Sequence, residues 1–128
     1  MIDHTGVTVT DFRRSKDFYQ RALAPLGYVL MVEFPASVTG TTDVAGFGEP
    51  PKPDFWIGAA AKVEAHVHVA FRASTRAQVD AFYQAAMQAG GRDNGAPGLR
   101  PHYHADYYGA FVLDPDGHNI EAVCHEAV

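Results

Sequence analysis

The segment HVHVAF, residues 66–71, puts histidines at two alternate positions, His66 and His68. Alternate side chains of a β-strand share one face, so a pair at this spacing can grip a metal ion from a single strand. A lone strand histidine is ordinarily a solvated or hydrogen-bonded residue. The choice between the two histidines comes from a repeat. Sliding the sequence against itself by 64 residues lays DFYQRALAPLG (17–27) over AFYQAAMQAGG (81–91), so that Phe18, Tyr19, Gln20, Ala22 and Gly27 meet Phe82, Tyr83, Gln84, Ala86 and Gly91. At the same offset His68 falls on His4, while His66 has no histidine counterpart. A histidine near the start of the first strand of both copies would face its twin if the copies pair about a local twofold axis. HNIEAVC adds Glu121, flanked by Ile120, Ala122 and Val123. A carboxylate among such neighbours is rarely buried without a partner; otherwise it faces water from an edge strand. His4, His68 and Glu121 are therefore the candidate metal ligands. His125 shares the face of Glu121, but four residues along a strand is roughly 13 Å, too far for the same ion. Cys124 is the only cysteine, which excludes an internal disulfide and a cysteine-rich zinc site.

The elements that must hold these residues read as the same series twice. IDHTGVTV and AHVHVAF alternate or run apolar in the manner of strands, and each precedes a segment whose apolar residues recur every three to four positions. The second helix starts at Ser74-Thr75, with Thr75 and Gln78 spaced as a capping box, and stops at Gly90-Gly91; Gly27 ends the first. Shorter strands follow: YVLMVEF, a stretch around TDVAGFG and DFWIGAA in the first copy; a weak segment near Arg92, YGAFVL and NIEAVC in the second, the last two joined by the turn DPDG (114–117). Residues 33–53 and 92–106 read largely as loops. The expectation is an α+β fold of two βαβββ modules, 1–64 and 65–128, within one domain, as 128 residues with 47% apolar content allow one good core.

Ten basic against fifteen acidic residues give a net charge of −5, and no stretch gathers the basic ones into a stripe that could follow phosphates, which argues against nucleic acid. The start lacks a basic segment leading into an apolar run, and no window holds the eighteen apolar residues of a membrane span. A cytoplasmic chain without membrane contact is expected.

IDHTGVTVTDFRRSKDFYQRAL, HVAF and GAFVLDPDGHNIEAV together resemble the vicinal oxygen chelate superfamily, which includes glyoxalase I, extradiol dioxygenases, methylmalonyl-CoA epimerase and the fosfomycin and bleomycin resistance proteins. The resemblance covers almost the whole chain. It implies that the modules pair, within one chain or between two copies in a homodimer, into an open, cupped eight-stranded barrel. Inside it, His4, His68 and Glu121 would hold one divalent ion, Fe, Mn, Ni or Zn. At the repeat offset Glu121 falls on Ile57, where glyoxalase I carries a carboxylate, so a strict lactoylglutathione lyase is not expected. Two histidines and one carboxylate with open positions suit a small substrate that chelates through vicinal oxygens, with the metal as Lewis acid or oxygen-activating centre. Glu121 could also serve as a catalytic base. For substrate binding the candidates are Trp56, where the fosfomycin enzymes tend to carry tryptophan, Arg100 for an anionic group, and His104, Tyr107 and Tyr108 of RPHYHADYYG, where His102 is a further polar candidate. Phe111 stands where those enzymes have tyrosine before DPDG, which disfavours their activity. The rival expectation is a non-catalytic binding protein of the bleomycin-resistance type.

Overall fold

The computed structural model describes residues 1–127. Its first module runs β1 (Thr5–Val9), α1 (Phe12–Leu23), a 3-10 turn (Ala24–Leu26), β2 (Val29–Phe34), the short α2 (Ala36–Thr39), β3 (Val44–Gly48) and β4 (Phe55–Ala59). The second runs β5 (His68–Arg72), α3 (Arg76–Gln88), β6 (Arg92–Leu99), β7 (Tyr108–Leu113) and β8 (Asn119–Cys124). Each forms one four-stranded sheet of the same order, β1-β4-β3-β2 and β5-β8-β7-β6, in which the first and last strands pair in parallel and the others antiparallel. The sheets are two open halves of an α+β cup, as the repeat predicts. Two elements depart from expectation. Residues 36–39 form a helical turn within a segment read as loop, and β6 extends over the whole of 92–99, where only a weak segment near Arg92 is expected. Its Gly, Pro and Asn content hides it, and two register irregularities against β7 absorb those residues.

The repeated sequence becomes the helix pair. In α1 the buried side chains are Ser15, Phe18, Tyr19, Ala22 and Leu23, and in α3 they are Val79, Phe82 and Ala86, one helical stripe each. Asp11 caps α1 by accepting from the N–H of Arg14, and Thr75 and Gln78 cap α3 reciprocally. Gly91 has no substitute: a Cβ there would stand 2.4 Å from Val112 Cγ1 and 2.9 Å from Phe18 Cε1, where α1, α3 and β7 meet. Both helices contribute to a single core with the inner faces of β1, β4, β3, β5, β7 and β8.

The turn between β7 and β8 does more than reverse the chain. Asp114 is fully buried; its Oδ1 accepts from the backbone N–H groups of Asp116 and His118, and its Oδ2 accepts from the Tyr19 hydroxyl of α1 at 2.5 Å. Asp116 in turn accepts from Thr10, and His118, also buried, donates from Nε2 to the Thr8 carbonyl while its Nδ1 accepts from Val67 N–H. The turn thus fastens the second module onto the first. His66 packs against it: a Cβ on Gly117 would lie 3.1 Å from His66 Nε2, and the His66 and His118 rings stand 5.9 Å apart.

Two predictions follow from this joint. Asp114→Ala strands the Tyr19 hydroxyl and two backbone donors in the core and should cost about 3 kcal/mol, read by urea unfolding; a loss below about 1 kcal/mol would show the turn to be dispensable. Burial, and then the Asp114 carboxylate, push the Tyr19 phenol well above its ordinary value of 10.0. The fold therefore keeps the Tyr19 proton where the unfolded chain releases it, so this contribution is complete below pH 10 and is lost as pH rises above it. Above that pH, stability should fall about 1.4 kcal/mol per pH unit more steeply in the parent than in Tyr19→Phe. Equal slopes in urea series taken from pH 9 to 11.5 would refute it.

Candidate functional site

Period-2 alternation along β5 and β8 builds the site. His68 and Ala70 turn to the open side of the second sheet, with Phe71 in the core, and on β8 Glu121 turns to the same open side between core residues Ile120 and Ala122. Glu121 pairs with Ala70 on one flank and Phe111 on the other. Its Oε1 lies 2.8 Å from His68 Nε2, and its Oε2 accepts from the Tyr107 hydroxyl. The carboxylate is 1% exposed although it faces the open side, because His68 and Tyr107 cover it. Burial, then the hydrogen bond and charge of Glu121, push the Tyr107 phenol far above the ordinary range, so that it remains a donor throughout the neutral range.

Above this pair is a cavity of about 400 Å³ lined by His68, Tyr103, His104, Tyr107, Phe111 and Glu121. Three of the predicted residues on the second module come together, His68 and Tyr107 each bonding Glu121, and His104 joins them on the wall. Sequence reasoning passed over Tyr103 and gave Phe111 only a negative role; the β7–β8 register that sets Phe111 beside Glu121 could not be counted through the turn. His125 does not line this cavity; its Nδ1 lies 2.8 Å from His104 Nε2.

The other candidates lie elsewhere. His4 is exposed just before β1, with Nδ1 2.7 Å from the Asp3 carboxylate; that contact, and then Lys52, hold the Asp3 carboxyl below its usual range. His4 and His68 both line a second cleft, of about 360 Å³, between the modules, but His4 does not join His68 and Glu121: among the described residues no three His, Cys, Asp or Glu side chains converge as a metal site. Arg100 spends its guanidinium on the carbonyls of Gly98 and Ala96, with Cζ 5.4 Å from the Phe111 ring centre. Tyr108 does not line the Glu121 cavity; its hydroxyl donates to Asp80 on α3, and Arg76 lies over its ring.

The expected alignment of Glu121 with Ile57 is corrected by the strand register. Ala70 pairs with Glu121 in the second sheet, whereas its repeat equivalent Gly6 pairs with Trp56, not Ile57. The first strands are related by an offset of 64 but the last by 65, and a one-residue slip reverses the face a strand residue shows. Ile57 is accordingly fully buried in the core, as the counterpart of Ala122, and Trp56 occupies the place of Glu121 in the first sheet. Its ring lies on Gly46, where a Cβ would come within 2.9 Å of it.

A metal would find in His68 and Glu121 an imidazole and a buried carboxylate with adjacent donor atoms, a set suited to Fe, Mn, Ni or Zn. One chain supplies two of the three donors expected.

Comparison with known proteins agrees with the architecture. A crystal structure of a glyoxalase/bleomycin resistance protein from Albidiferax ferrireducens is 28% identical, covering 97% of this chain and 98% of its own, with a TM-score of 0.75. A glyoxalase I mutant from Zea mays is 22% identical with a TM-score of 0.74; the match covers 95% of this chain but only 46% of that one, and at this identity speaks for the fold alone. A glyoxalase/bleomycin resistance protein/dioxygenase family enzyme from Burkholderia phytofirmans, 19% identical over 97% and 98% of the two chains with a TM-score of 0.69, likewise shares the fold. No curated protein matches. Among the described residues no helix is long and apolar enough to cross a membrane. Residues 1–122 match the model of one family, and the chain belongs to the glyoxalase/bleomycin resistance protein/dioxygenase superfamily.

Proposed function

We propose that this protein is a metal-dependent enzyme acting on a small substrate that chelates the ion through vicinal oxygens, by lyase, isomerase or ring-cleaving chemistry. The observation that supports it best is Glu121: a carboxylate buried on the open side of a sheet, against an imidazole, at the foot of an aromatic cavity. Burying such a group costs several kcal/mol unless its partners compensate. A purely structural carboxylate gains nothing from a position beneath an open cavity.

The third donor is assigned to a second copy of the chain. His4 shares a cleft with His68 but does not join His68 and Glu121 as a set of three donors among the described residues, and each sheet is an open half-cup. In this reading a twofold pairing brings His4 of each protomer to the His68 and Glu121 of its partner in two equivalent sites. Asp3 serves His4 there: by holding Nδ1 it leaves Nε2 to face outward as the ligating nitrogen. When bound, the ion would act as a Lewis acid on the substrate oxygens. Phe111 and Tyr103 offer a flat apolar surface to the substrate body, and Glu121 is the group able to accept its proton. The rival, a non-catalytic binder of the bleomycin-resistance type, is favoured by one observation, the separation of His4 within the chain.

Mixing two variants tests the assignment. His4→Ala and His68→Ala should each lose tight metal binding. After the two are unfolded, mixed and refolded together, about a quarter of the parental metal should return, because half of random pairs are mixed and each mixed pair has one intact site. No recovery, with a metal-loaded parent, would place the site within one chain. A parent that takes up no Fe(II), Mn(II), Ni(II) or Zn(II) would favour the binder.

The register supplies a second test. Trp56→Glu puts a carboxylate at the place equivalent to Glu121 and should tighten metal binding, while Ile57→Glu buries a charge in the core and should destabilise the fold by several kcal/mol without affecting the metal. Thermal melts with and without Zn(II) read both, and a larger metal response in Ile57→Glu than in Trp56→Glu would overturn the register argument.

A further inference from the structure

The two partners of Glu121 are held very differently. His68 stands on the cavity wall, and its side chain is 51% exposed, so its imidazole can exchange the carboxylate for an ion. Tyr107 is built into place. Its carbonyl accepts from Arg100 N–H at 2.7 Å and its N–H donates to the His104 carbonyl at 3.2 Å, which closes the 100–107 loop on itself. The loop is then tied to the chain just beyond β8, the strand that carries Glu121, by the contact between His104 and His125. In that contact the N–H of Asp106 donates to His104 Nδ1, so Nε2 is the protonated nitrogen and donates to His125 Nδ1. This is a hydrogen-bonded pair and not a second pair of metal ligands, since the lone pair of His104 is already used.

Gly109 completes the arrangement. A Cβ there would stand 3.1 Å from Tyr107 Cε1 and 3.4 Å from Glu121 Oε2, so its absence makes the room in which the phenol reaches the carboxylate. One oxygen of Glu121 is thus committed to a donor fixed by the backbone, and the other to a side chain on the open wall.

Resting on the metal reading above, we propose that Tyr107 is a positioning residue that makes Glu121 a one-oxygen ligand. A carboxylate can give a cation one oxygen or both. The phenol takes one lone pair of Oε2 and fixes the carboxylate with Oε1 turned toward His68. Oε1 is therefore the oxygen presented to an ion, and the coordination position that a second oxygen would take stays open for the vicinal oxygens of the substrate. Hydrogen-bonded partners behind a ligand commonly set its orientation in this way.

Co(II) serves as the probe ion and acetohydroxamate as a simple ligand with two vicinal oxygens. In the Co(II)-loaded full-length protein, Tyr107→Phe should weaken and shift the visible Co(II) bands as the second oxygen enters, and acetohydroxamate should bind about tenfold more weakly than to the parent. Gly109→Ala, which displaces the ring without removing the hydroxyl, should move both readings in the same direction and provides the test if Tyr107→Phe fails to fold. Bands and acetohydroxamate affinity equal to the parent's would overturn the inference. So would complete loss of Co(II) from a folded Tyr107→Phe, which would mean that the phenol merely keeps the carboxylate in the site. A parent that binds no Co(II) would overturn the metal reading and this inference with it, and that result is seen before any variant is measured.

Discussion

The buried carboxylate of Asp114 is the contact on which the relation between the two modules depends. A charged oxygen can lie in the core only with its hydrogen bonds satisfied, and here the donors come from both modules: two backbone N–H groups of its own turn and the Tyr19 hydroxyl of the first helix. The requirement is directional in a way that apolar packing is not. Phe55 against Phe71 and the contacts of the two helices supply area, but they would tolerate sliding. The Tyr19–Asp114 bond, with Thr10 on Asp116 and His118 on the Thr8 carbonyl, fixes where β8 begins relative to the end of β1. Since β8 carries Glu121, the same turn that locks the fold also sets the depth of the Glu121 carboxylate.

Repetition gives the two sheets one topology, and a single residue separates their chemistry. The repeat holds through the first strands and the helices, then gains one residue before the last strands, so the side chain opposite Gly6 is Trp56 while that opposite Ala70 is Glu121. One half-cup therefore offers an indole laid on Gly46, and the other a carboxylate between an imidazole and a phenol. The halves are alike as scaffolds and different as surfaces.

Much of this was legible in the sequence, and the limits have physical causes. The helix pair, the caps at Thr75 and Gln78, the modules and the prominence of His68 follow from periodicity and from self-similarity, which report local structure directly, while Glu121 stands out by its apolar neighbours in the sequence. The setting apart of His66 from His68 agrees with their places, since His66 packs on Gly117 and His68 meets Glu121. The counterpart of Glu121 was misassigned because an offset measured on helices was carried into a strand, where a slip of one residue reverses the face. Strand β6 was largely missed because its glycines and proline contradict strand propensity while its pairing with β7 tolerates them. Tyr108 was grouped with Tyr107 by adjacency, yet alternation at the start of a strand sends neighbours to opposite sides: Tyr107 to Glu121, Tyr108 to Asp80.

The placement of His4 is what the sequence could least decide, and it bears most on function. Self-similarity says that His4 and His68 are equivalent; equivalence under a twofold does not require that they meet. Two positions related by such an axis converge only if they lie near it, and within this chain the joint at Asp114 fixes the modules with His4 away from the Glu121 cavity. An internal repeat that mimics a dimer can thus hold its core together within one chain while leaving two open half-cups. In a fold of this kind the packing of helices and the completion of the cup are separate problems, and the buried turn at Asp114 addresses only the first.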